Sequence, residues 1–267
     1  MRRVPWLALA SALTLLFLYL PIFILAAFSF NASRYTAHWT GFTWHWYASL
    51  LENEDILRAT LNSLAIASAS SLLATALATG AAVALGRFSW ERKGLWEALL
   101  FLPLVIPELM MGIGFLIFFG LLGLERLDSF HFLGANLVKL VFAHSTLNIP
   151  IVWLIVRARL KKLDPRLEEA AMDLGATRWM AFRRVTLPLL MPGVLGGALM
   201  AFAISLDDFV ISFFTAGPNS TTLPIQIYSM LKFSISPEVN ALSTVLFAAS
   251  MSLVLAAWLL QGKDAHA

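Results

Sequence analysis

Long apolar stretches separated by short polar segments set the plan of this chain. Residues 4–33, 59–86, 140–156, 185–206 and 239–262 carry no charged side chain and are predominantly apolar. A helix that crosses the hydrocarbon core of a bilayer needs about 20 such residues, so each run predicts one membrane span. A sixth span is predicted across residues 95–119, where Glu108 interrupts an apolar stretch that also holds Pro103 and Pro107. Proline is tolerated inside membrane helices when neighbouring groups satisfy the freed backbone carbonyls. The pattern therefore predicts an all-α polytopic membrane protein of six helices, one transmembrane domain over residues 1–267, with a polar loop at residues 158–190 between the fourth and fifth spans.

Composition sharpens this picture. The 267 residues are 59% hydrophobic and 13% charged, with mean hydropathy +0.78, which excludes a single water-soluble core. Basic residues near span ends are retained in the cytoplasm. Both termini are expected there, because that topology places Arg2, Arg3, Arg87, Arg92, Lys93, Arg157, Arg159, Lys161, Lys162, Arg166, Arg178, Arg183, Arg184 and Lys263 inside. Only Arg34, Arg58, Arg126, Lys139 and Lys232 then lie outside. The pI near 9.4 thus reports sidedness, and no basic patch with interleaved aromatics suggests nucleic acid. The first apolar run is far longer than the roughly 7–15 residues of a signal peptide, so it reads as an uncleaved helix. Cysteine is absent, which removes disulfides, thiolate metal sites and cysteine nucleophiles.

Between the first two spans, Trp39, Phe42, Trp44, Trp46 and Tyr47 suit either an interfacial aromatic belt or a platform for an external protein. Asn31-Ala32-Ser33 and Asn219-Ser220-Thr221 match the glycosylation acceptor pattern, which is too short to carry weight. On the fifth helix Gly193, Gly197, Ala201 and Ser205 recur every fourth residue and form one stripe; Ser63, Ala67, Ser71, Thr75 and Thr79 do the same on the second. Such stripes permit close helix approach, either as static packing or as surfaces that rock during a transport cycle.

Local rules build the loop. Asp164 is a plausible N-cap, Pro165 suits the first helical position, and Gly175 is a natural helix-ending residue, so residues 165–174 form a short helix. Leu163, Leu167, Ala170, Ala171 and Leu174 share one face, with Arg166, Glu168, Glu169 and Asp173 largely elsewhere. A second short helix, capped by Thr177 and ending before Pro188, would carry Trp179, Phe182 and Val185. The product is a hinged protrusion. On charge alone it could lie on anionic lipid.

The order Glu169-Ala170-Ala171-Met172-Asp173-Leu174-Gly175, then Val185-Thr186-Leu187-Pro188, resembles the EAA loop of ABC-importer permeases. Ser29-Phe30-Asn31, Ser33-Arg34, Trp39, Gly41-Phe42-Thr43, Trp46-Tyr47, Pro107-Glu108 and Ser205-Leu206-Asp207-Asp208 are similar to segments of the spermidine/putrescine permeases. So are Gly217-Pro218, Thr222-Leu223-Pro224 and the stretch from Ser236-Pro237-Glu238 through Asn240-Ala241-Leu242. These cover nearly the whole chain in the family's order, in the manner of the second of two permease subunits. The resemblance implies a type I ABC importer in the bacterial inner membrane: a second permease subunit, two ATPase subunits, a periplasmic polyamine-binding protein and surrounding membrane lipid. It assigns coupling to the ATPase to Glu169, Ala170, Ala171, Asp173, Gly175, Ala176, Leu187 and Pro188. ATP and Mg would be bound by the partner ATPase, in keeping with the absence here of a Gly-x-x-x-x-Gly-Lys-Ser/Thr loop.

Ionisable groups within membrane helices are expensive and usually face a cavity or a partner. Glu108, Asp207 and Asp208 are the three here. Counted from the ends of their helices at about 1.5 Å per residue, all lie roughly 20 Å from the cytoplasmic side, so they share a level. Acids at one depth repel unless a cation stands between them, and a diamine or triamine supplies one. Its methylenes need apolar or aromatic walls, for which Phe209, Phe213 and Tyr228 are candidates. Adjacent helical positions point about 100° apart, so one aspartate faces the cavity and the other packs; the sequence leaves open which. The competing reading is that the aspartates cap or brace helices, or pair with a base from a companion subunit.

Two other classes meet weaker support. For an intramembrane enzyme, the histidines at 38, 45, 131, 144 and 266 are scattered, with neither His-Glu-x-x-His nor Gly-x-Ser-x-Gly present. For an ATP-independent transporter, no inverted repeat relates the two halves.

Overall fold

The computed structural model describes residues 5–34, 38–124, 135–233 and 236–262; Arg2, Arg3, Arg126, His131, Lys263 and His266 lie outside the described residues. Every regular element described is helical: α1 Pro5–Phe28, α2 His45–Glu52, α3 Glu54–Arg87, α4 Lys93–Val105, α5 Glu108–Leu121, α6 Ala135–Lys162, α7 Arg166–Asp173, α8 Arg178–Ala181, α9 Leu187–Asp207, α10 Val210–Thr215, α11 Leu223–Phe233 and α12 Pro237–Gly262. Five stretches are long and apolar enough to cross a membrane, and the bent pair α4–α5 makes a sixth when taken as one span.

That sixth span differs from the continuous helix expected over residues 95–119. The axes of α4 and α5 meet at 102°, because Ile106 and Pro107 are extended, with ψ 129° and 133°. A proline disfavours the helical conformation in the residue before it and offers no N–H. Apart from Glu108 the run is apolar on both sides of the kink, and proline is tolerated within spans, which is why the pattern predicts one span and not the bend.

The chain divides into two compact units. In the smaller, residues 1–58 and 226–248, the segment after α1 is tied by Asn31. Its buried amide donates to the His38 carbonyl at 2.8 Å and its side-chain oxygen accepts from the Thr40 N–H at 2.9 Å. The Trp46 indole N–H donates to the Asn31 carbonyl at 2.7 Å. Phe30, Phe42, Trp44 and Tyr47 stack around one another with neighbouring ring centroids 4.8 to 5.6 Å apart, while Phe42 and Trp44 keep most of their surface exposed. The aromatic segment is thus an ordered knot, and Asn31 is spent inside it.

In the larger unit, residues 59–225 and 249–267, α6 packs along α9 and also meets α4 and α10. The small-residue stripe of α9 forms this seam. A Cβ on Gly193 would stand 3.0 Å from the Arg159 Cβ, and one on Gly197 would stand 3.0 Å from Val152 Cγ1 and 3.6 Å from the Val152 Cα. Farther along, the Ala201 carbonyl accepts from the Asn148 amide at 3.2 Å. Trp153, fully buried, meets Phe101 edge to face at 5.4 Å and anchors the core of Ala78, Ala82, Val152, Val156 and Ala201. The small side chains therefore serve close packing. Gly197→Leu forces α6 and α9 apart, and the expected loss is about 1–3 kcal/mol, read as a lowered Tm of the detergent-purified protein; an unchanged Tm would contradict the seam.

Candidate functional site

Two features stand out in the larger unit: a polar centre among broken helices, and the hinged loop. The centre forms where two spans break. Glu108 opens α5 directly after the Pro107 kink. Asp208 ends α9 with an extended ψ of 119°, after which α10 starts in a new direction. The Asp208 Oδ1 accepts the Ser212 N–H at 2.9 Å, so this carboxylate caps α10 in the way short polar side chains cap helices generally. Both acids thus sit where unpaired backbone N–H groups favour negative charge. Helices α5 and α10 pack together, closely enough that a Cβ on Gly112 would come 2.7 Å from the Phe214 ring, and this brings the Glu108 and Asp208 side chains within interacting range. The packing thus brings together two of the three acids, Glu108 and Asp208.

The two aspartates part company. Asp208 is 6% exposed and faces His144, whose Nε2 lies 3.5 Å from Oδ1. The buried imidazole also bonds Ser205 Oγ through Nδ1 at 2.7 Å and Ser212 Oγ through Nε2 at 3.1 Å, and Ser205 reaches Ser70 Oγ at 3.1 Å. One polar chain therefore stitches α3, α6, α9 and α10 together. Asp207 points elsewhere and is exposed; its Oδ1 accepts from the Ser250 hydroxyl of α12 at 2.7 Å. Glu108 is exposed as well. Asp208 is then the packing aspartate and Asp207 the outward one. Phe209 and Phe213 lie 5.4 Å apart on the same turn, with Phe213 half-exposed. Tyr228 belongs to the smaller unit, on α11, and is half-exposed there.

His144 is the residue that sequence reasoning missed. In the sequence it is one of several scattered histidines, yet His144, Ser145 and Asn148 fall within five residues inside an apolar span and are all buried. Buried polar groups in a membrane helix must find partners, and that cluster was the available signal.

In the loop, Asp164 Oδ1 accepts the Arg166 N–H at 3.0 Å, so the expected cap is made and α7 begins one residue after Pro165. At its other end Gly175 has φ +92°. Its N–H reaches the Met172 carbonyl at 2.9 Å, and the Ala176 N–H reaches the Ala171 carbonyl at 3.0 Å, the paired bonds of a Schellman ending. Thr177 Oγ1 then accepts the Met180 N–H at 3.2 Å and starts α8. Glu169, Ala170, Asp173 and Leu174 are exposed, Ala171, Ala176 and Leu187 partly so, and Pro188 exposed. An ion pair of 3.2 Å between Glu168 and Arg87 moors α7 to the end of α3.

The second loop helix does not end before Pro188. It passes through a π turn, Phe182–Thr186, straight into α9. Pro188 offers no N–H, and the wider turn just before it, in which the Leu187 N–H bonds back to the Phe182 carbonyl, carries the helix past the proline without a break.

The family described as "Binding-protein-dependent transport system inner membrane component" matches residues 75–261. The spermidine/putrescine transport system permease protein PotC of Escherichia coli (strain K12) is 41% identical over 244 residues, 91% of this chain and 89% of that protein. The putrescine transport system permease protein PotI of the same organism is 36% identical over 266 residues, 98% of this chain and 92% of that protein. The fold is similar to that of a bacterial ABC transporter involved in the import of the acidic polysaccharide alginate, with TM-score 0.70 at 18% identity over 97% of this chain and 96% of that chain. This multi-pass membrane protein belongs to the family of binding-protein-dependent transport system inner membrane components.

Proposed function

We propose that this chain is a permease subunit of an ATP-driven importer for polyamines, of the putrescine and spermidine kind, working beside a second permease subunit. Two copies of an ATPase would grip α7 and α8, and a binding protein outside the inner membrane would deliver the substrate, with both termini in the cytoplasm. The observation that carries the substrate class is the pair of exposed acids, Glu108 and Asp207, at the level where α4–α5 and α9–α10 break. Irregular backbone at membrane depth is tolerated where it lines a cavity, and exposed carboxylates there need cations. The half-exposed Phe213 with Phe209 offers apolar wall for methylene segments. Relatives named for spermidine and putrescine transport support the same class.

Energy enters at the hairpin. Because α8, the π turn and α9 form one continuous helix ending at Asp207, movement of a partner's groove against α7 and α8 would be delivered along α9 to the acids. This chain's part is mechanical and electrostatic, with ATP and Mg held by the partner. Reconstitution of the chain with its companion permease, ATPase and binding protein tests this reading. Binding-protein-dependent ATP hydrolysis should rise with putrescine or spermidine and stay flat with neutral solutes of similar size; stimulation by neutral solutes alone, or uptake without the ATPase, would refute it.

A further inference from the structure

A cavity of about 240 Å³ lies at the far end of α6 from the acids, lined among others by Arg87, Lys93, Arg157, Lys161, Trp153 and Pro165. Four cationic side chains thus converge where α3 ends, α4 begins and α6 ends. Two are offset: Arg157 pairs with Glu97 at 2.7 Å and Arg87 with Glu168 at 3.2 Å. Lys93 and Lys161 form no ion pair among the described residues, leaving the cavity with an excess of positive charge. Two buried donors also lack acceptors, the Arg87 Nε and the Trp153 Nε1, and Trp153 is fully buried. Both groups are donors only, so what the cavity lacks is acceptor oxygen carrying negative charge.

We propose that this cavity binds the phosphate of an anionic phospholipid headgroup. Its position selects a lipid over a soluble anion, because the surrounding helices pass here from apolar to basic sequence, which is the headgroup level. Basic pockets between membrane helices recognise anionic headgroups in this way. The site has a mechanical consequence, since Pro165 lines it and Arg87 moors α7 through Glu168. A bound lipid therefore steadies the root of the hairpin.

Native mass spectrometry of the assembled transporter, offered phosphatidylglycerol or phosphatidylcholine, tests the site. Wild type should retain phosphatidylglycerol preferentially. Lys93→Gln with Lys161→Gln should weaken that retention by about 30-fold, at about 1 kcal/mol per removed cation, whereas Lys93→Arg with Lys161→Arg should restore it. Equal retention of the two lipids by wild type, which needs no variant to fold, overturns the proposal, and so does undiminished retention by the glutamine variant. A saturable rise in Tm given by inorganic phosphate and not by phosphatidylglycerol would assign the cavity to a soluble anion and overturn the lipid assignment as well.

Discussion

A transporter carrying Glu108→Gln together with Asp207→Asn assembles normally yet takes up labelled putrescine and spermidine about a hundredfold more slowly than wild type. Both side chains are exposed at the breaks of their spans, and their contacts are ones an amide can keep: Glu108 meets Asp208 and Asp207 accepts from Ser250. Amide side chains retain shape and hydrogen bonding while removing the charge that faces an ammonium group. A hydrogen bond to a charged group contributes about 1.5–3 kcal/mol, and losing two at the lower end of that range, about 3 kcal/mol, corresponds to roughly the stated hundredfold. Uptake at the wild-type rate by an assembled double variant would eliminate these acids as the substrate path. Asp208→Asn belongs to a different experiment: buried against His144 and capping α10, it governs how the four-helix polar chain is held, and its effect should be sought in stability.

Gly175→Val should leave the substrate-facing half untouched and disconnect it from its energy source. The residue sits at φ +92°, a region that β-branched side chains avoid at a cost of about 1–2 kcal/mol. A Cβ there would meet nothing within 4 Å, so the penalty is purely one of backbone conformation and falls on the angle between α7 and α8. The expected outcome is ATP hydrolysis close to wild type with uptake reduced about tenfold, the equivalent of about 1.4 kcal/mol. Gly175→Asn, which tolerates the left-handed region better, should retain most of the coupling. Normal uptake in the valine variant would refute the hinge.

The loop was readable because its determinants are local. Asp164, Gly175 and Thr177 act on neighbours within four residues, so residue type and spacing suffice. The spans were readable because bilayer thickness imposes their length. What escaped depends on partners distant in sequence or on backbone detail. The 102° bend at Pro107 is not specified by hydropathy, since proline is ordinary in membrane helices and the interruption at Glu108 carries no direction. The division of labour between Asp207 and Asp208 is decided by His144, 64 positions from Asp208 in the sequence. The π turn that carries α8 into α9 turns a proline, normally a stop, into a continuation.

Leu174 stands 90% exposed at the tip of the hairpin, with Trp179 at 68% and Leu167 at 49%. Greasy side chains held out in water on a lone polypeptide invite clumping and capture by chaperones or proteases. A cell making this subunit is therefore expected to match its output to that of whatever caps the tip, since every surplus copy would be a target for disposal.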